Sequence, residues 1–214
     1  MRGIPVRWFG LAVSLVVAAM TLTAPAVAGA AAGTVGMTGS TLVFQGGPAT
    51  TNAVTIAKVT IGVNARSFFF VRDTGPGATI EVGTGCAAGE GSIACGDPAV
   101  APGGIRSVRA LLGAGNDSFL LTFQPSANTQ AVGASARVTG GLGNDRITTA
   151  DGADVIFGGP GLNTVRGGEG NDRLEMRNGA RDVLIDCGLG IDTAVVDVKD
   201  PRPIACETVL RPRS

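Results

Sequence analysis

Aspartate and glycine recur at a fixed interval in the second half of this chain, and that spacing is its clearest chemical signal. Residues 140–184 divide into blocks of nine: GGLGNDRIT, TADGADVIF, GGPGLNTVR, GGEGNDRLE and MRNGARDVL. The fourth place of each block is glycine: Gly143, Gly152, Gly161, Gly170 and Gly179. The sixth reads Asp145, Asp154, Asn163, Asp172 and Arg181, and the eighth reads Ile147, Ile156, Val165, Leu174 and Val183. Stacked blocks would align the sixth-place carboxylates, and aligned carboxylates repel unless a cation lies between them. Hard oxygen ligands favour Ca²⁺, and the chain has no histidine to recruit a softer metal. The alternative is a stack that needs no ion, because Asp in a GND turn also bonds nearby backbone.

The elements that would hold these residues follow from the same blocks. Six glycine-rich residues suit a turn, since several places need backbone conformations that a Cβ disfavours. Three residues then suit a short strand whose middle side chain points inward. Stacking piles the eighth-place residues into an apolar ladder that no single block could bury alone. With 34 Gly and few aromatics, no amphipathic helix is expected to persist. The fold class is all-β.

These blocks resemble the RTX, or hemolysin-type, calcium-binding nonapeptides GGxGxDxUx, in which U is a large apolar residue. GGLGNDRIT and GGEGNDRLE fit every defined place. GAGND at 113–117 followed by Phe119 fits from the second place onward, and CGLGIDTAV at 187–195 matches at Gly188, Gly190 and Asp192. The resemblance implies a right-handed parallel β-roll with two nonapeptides per turn, over residues 112–195. Ca²⁺ would lie between repeats two apart, so that Asp145 pairs with Asn163 and Asp154 with Asp172. The second pair has two carboxylates and is expected to be the better site; Asn163 brings an oxygen without charge. Turn carbonyls of Gly140, Leu142, Gly158, Pro160, Gly167 and Glu169 would supplement them, with Asp117 and Asp192 as outlying ligands. Arg181 stands where an aspartate is expected, and the spacing from Asp117 to Asp145 is not a multiple of nine. About one to three ions are expected on that footing.

The remaining residues frame this region. Short strands are expected at 40–44, 53–57, 67–71, 79–82 and 105–112, forming a β-rich cap over 33–111. SFFFV at 67–71 reads as core of that cap, with a ligand-binding aromatic patch as the rival reading. The front part also resembles, more loosely, that of secreted actinobacterial calcium-binding repeat proteins, which implies a cap without activity. Residues 196–214 would form a C-terminal cap strand and tail. Four cysteines allow three connectivities; pairing of neighbours, Cys86 with Cys95 and Cys187 with Cys206, is the expected one. Zinc is the rival, but the spacings match no common motif.

The first 30 residues have the form of a secretory signal. Arg2 and Arg7 precede an apolar stretch from Phe9 to Thr23, and Ala26-Val27-Ala28 offers a cleavage site. A secreted protein with no membrane span after cleavage is expected. No polybasic run is present, which argues against nucleic acid as a partner. Without histidine there is no Ser-His-Asp or Cys-His arrangement, and the acid-poor first half leaves little for a carboxylate-based cleft. A non-enzymatic, calcium-binding extracellular protein is expected. The second reading is a structural or adhesive scaffold with a cell-wall, carbohydrate or protein partner and little dependence on metal.

Overall fold

The computed structural model describes residues 33–48, 51–61, 66–96, 104–123 and 134–212. The signal-like residues 1–30 lie outside them. The first strands are β1 (Gly33–Thr38), β2 (Thr41–Gln45), β3 (Ala53–Ile61), β4 (Arg66–Asp73), β5 (Ile80–Val82), β6 (Cys86–Gly89) and β7 (Ser92–Cys95). There follow β8 (Ser107–Ala114), β9 (Ser118–Phe123), β10 (Ser135–Leu142), β11 (Arg146–Thr148), β12 (Val155–Phe157) and β13 (Thr164–Glu169). The last are β14 (Arg173–Glu175), β15 (Leu184–Leu189), β16 (Thr193–Val195) and β17 (Thr208–Leu210). Among the described residues there is no helix, so the class is all-β.

The strands form two sheets, each of mixed pairing. One runs β17-β16-β14-β12-β10-β8-β2-β1-β5 and the other β15-β13-β11-β9-β3-β4-β7-β6. From β8 to β16 successive strands alternate between the sheets, and every pairing among them is parallel. Antiparallel pairings are confined to the first half: β1 with β2, β3 with β4, β4 with β7 and β6 with β7. β2 and β3 then join parallel to β8 and β9, so one core passes through both halves.

The inward places are those the nine-residue period implies. In one sheet Val54, Phe119, Ile147, Val165 and Ile185 stand in register and are buried. In the other, Phe44, Ala110, Val138, Ile156, Leu174 and Ala194 do the same. Each Val, Leu, Ile or Phe among them contributes roughly 1.5–3 kcal/mol when fully removed from water. One place differs from the sequence reading: Val183 is 63% exposed, and Ile185 takes the inward position. The reason is a register of twenty residues at this step, Thr164 facing Leu184, where the preceding steps take eighteen.

Of the SFFFV segment, Phe69 and Val71 are buried in the core while Phe68 and Phe70 are half-buried, which favours the core reading. Disulfides join Cys86 to Cys95 and Cys187 to Cys206. The first ties β6 to β7; the second ties β15 to the segment leading into β17, at one end of both sheets.

Candidate metal-binding site

The turns between strands are held by glycines in a backbone conformation other residues rarely adopt. Gly141 and Gly143 have φ of 110° and 125°, and a Cβ on either would collide with the carbonyl of Gly113 or Gly115 in the neighbouring turn. This close stacking brings the sixth-place side chains into hydrogen-bonding range of one another's backbone. Asp117 N–H donates to Asp145 Oδ1 (2.9 Å), Asp145 N–H to Asn163 Oδ1 (2.9 Å), and Asn163 N–H to Asp182 Oδ1 (2.8 Å). Asn52 N–H begins this ladder at Asp117 Oδ1 (2.6 Å), and Asp182 N–H ends it at Asp200 Oδ1 (2.9 Å).

A second ladder has the same form. Ala136 N–H donates to Asp154 Oδ1 (2.6 Å), Asp154 N–H to Asp172 Oδ1 (2.9 Å), and Asp172 N–H to Asp192 Oδ1 (2.7 Å). Asp192 N–H ends it on Glu207 Oε2 at 2.7 Å. The structure therefore brings together Asp145 with Asn163 and Asp154 with Asp172, and adds Asp117 and Asp192 to their respective stacks. Arg181 is not in a ladder: the longer step places Asp182 there instead. Asn52, Asp182, Asp200 and Glu207 are ladder members that the period alone does not reveal.

The second oxygen of these carboxylates has a different fate. Oδ2 of Asp117, Asp145, Asp154, Asp172 and Asp192 is buried without a hydrogen-bond donor. An uncompensated buried carboxylate oxygen is costly. Burial raises the pKa of Asp145 and Asp172 to about 6 and that of Asp154 to about 7, against the lowering effect of the N–H each accepts. Asp182 is likewise raised to about 6, by burial first. Asp117 is raised for the same reason.

Two of these orphans each border a glycine position together with a backbone carbonyl. A Cβ built on Gly140 would collide with both Asp145 Oδ2 and the Gly158 carbonyl. At Gly167 the same two kinds of atom converge, Asp172 Oδ2 and the Cys187 carbonyl. The carbonyls of Leu142, Pro160 and Glu169 instead accept the N–H of Gly115, Gly143 and Gly152 at 2.8, 3.0 and 2.8 Å. Among the described residues no three His, Cys, Asp or Glu side chains converge on one point. The donor set is thus one of carboxylate and backbone oxygens between turns. Uncompensated negative charge and oxygen donors alone suit a hard divalent cation.

Comparison with known families matches this stretch: the family model of the RTX calcium-binding nonapeptide repeat fits residues 139–174, in four copies. Residues 139–174 are RTX calcium-binding nonapeptide repeats. RTX repeats bind Ca²⁺ and are generally non-catalytic. No curated protein and no solved structure matches the chain. Both Gly140 and Gly167, with Asp145 and Asp172, fall within the RTX segment, whereas Asp117 and Asp192 extend the ladders beyond it on either side.

Proposed function

We propose that this is a secreted, non-enzymatic calcium-binding protein in which Ca²⁺ between stacked turns orders a parallel β-roll. The observation that carries the reading is the set of buried carboxylate oxygens without donors, lying within and beside the RTX repeats. A cation there would replace repulsion between successive carboxylates with attraction to them. Residues 112–195 form the roll on this reading, with 33–111 and 196–214 as its caps. The Asp145, Asn163, Asp154 and Asp172 side chains are the principal ligands, with Asp117, Asp192 and the carbonyls of Gly140, Leu142, Gly158, Pro160, Gly167 and Glu169 around them. Extracellular modules bind calcium at about 10⁻⁴ to 10⁻³ M, which would leave the roll unfilled in a cytosol and filled after export.

Thermal melting of the purified chain, followed by circular dichroism, tests this. The midpoint should rise with millimolar CaCl₂ over chelator and not with equal MgCl₂, because Mg²⁺ demands tighter octahedral geometry. An identical midpoint in calcium and chelator would leave a scaffold held by stacking and disulfides.

A further inference from the structure

The two ladders are not uniform, and their first-place residues decide where a cation can enter. The parallel register sets Gly46, Leu112, Gly140, Gly158 and Met176 in one inward column, and Thr149, Gly167 and Cys187 in another. Gly140 and Gly167 each lie beside the sixth-place side chain of their own turn and the first-place carbonyl of the next. At Gly140 and Gly167 the two atoms nearest the place a Cβ would take are oxygens: Asp145 Oδ2 with the Gly158 carbonyl, and Asp172 Oδ2 with the Cys187 carbonyl. The other slots already hold a group belonging to the chain.

Thr149 is the sharpest case. It is buried, and its hydroxyl donates to the Gly167 carbonyl, the acceptor that would otherwise face Asp154. In the Asn163 slot the Met176 methyl lies 2.7 Å from the place a Cβ on Gly158 would take, while Asn163 Nδ2 donates to the Gly159 carbonyl at 2.8 Å. At the start of the same ladder, Asn52 Nδ2 donates to the Leu112 carbonyl (2.9 Å) and to Asp117 Oδ1 (3.0 Å). Leu112 and Cys187 fill their own places with buried side chains.

We infer that Thr149 closes the Asp154 slot with its own hydroxyl, so that calcium enters at the Gly140–Asp145 and Gly167–Asp172 slots, one on each ladder. This rests on the calcium reading above and sharpens it. The pair with two carboxylates, Asp154 and Asp172, then brackets the closed slot, and the Asp145–Asn163 pair brackets an open one. Carboxylate count is outweighed by whether the first-place residue leaves room for a cation.

Calcium stoichiometry of the full chain, by isothermal titration with CaCl₂, tests this. The unaltered protein should take up two ions and Asp145→Asn one. Thr149→Gly should admit a third ion. Thr149→Val, which removes the hydroxyl and keeps the bulk, should stay at two and melt lower than the parent in chelator. Two ions in the parent with no gain in Thr149→Gly would overturn the role of Thr149 while leaving calcium binding intact. No uptake by the parent would overturn the calcium reading itself.

Discussion

At Asp145 one carboxylate oxygen accepts the N–H of Asp117, and the other is buried without a donor. That division governs how the calcium-free protein responds to pH. The folded state holds a proton on Asp154 up to about 7 and on Asp145, Asp172 and Asp182 up to about 6, because burial disfavours their charged forms. The unfolded chain releases the same protons near 4. A raised folded pKa gives stability that is complete below the unfolded value and is lost as pH rises through the folded one. In chelator the melting midpoint should therefore fall between pH 4.5 and 7.5, a direction opposite to ordinary acid denaturation. A midpoint that climbs over this range would mean that these carboxylates ionise freely in the fold. The aspartates themselves were legible in the sequence because one chemical demand recurs every nine residues. Asn52 was not: it stands 65 residues before its partner Asp117, in a segment without the repeat.

The strands of the repeat are three residues long in several turns, and only the middle side chain of each is fully inward. Stability at this scale comes from the ladder rather than from any one strand. Leu174 lies between Ile156 and Ala194 and is fully buried, so Leu174→Ala should cost about 2–5 kcal/mol in urea unfolding. Val183→Ala, at a place the period assigns to the other sheet's column beyond Val165, should stay within about 0.5 kcal/mol because that side chain faces solvent. Comparable losses for the two would contradict the twenty-residue step. The sequence reading misplaced Val183 and Arg181 for one physical cause: two extra residues lengthen a turn without altering composition. Strands at 40–44, 53–57 and 67–71 were readable from β-branched and aromatic runs. β1, β6 and β7 were not, since GTVGMT, CAAG and SIAC carry small residues whose strand character depends on their neighbours.

Across the whole molecule the stack has two ends with different fastenings. The final strand, β17, is exposed at all three residues and pairs on only one side, with β16. Here the Cys187–Cys206 bond closes a sequence separation of 19, and Glu207 beside it terminates the second ladder. A loop of that length is worth about 3 kcal/mol by chain entropy. The double variant Cys187→Ala, Cys206→Ala should lower urea stability by roughly 2–4 kcal/mol. An unchanged unfolding midpoint would show that the end is held by pairing alone.

The step from β8 to β10 spans 28 residues, Ser107 facing Ser135, and the step from β9 to β11 spans the same number, Ser118 facing Arg146. Ten residues beyond the ordinary turn are thus taken up between β9 and β10, and both sheets resume in phase. Loop length adds entropy cost only slowly, about 0.6 kcal/mol for each doubling. A short peptide inserted between β9 and β10 should therefore leave the later pairings in phase and the melting midpoint nearly unchanged.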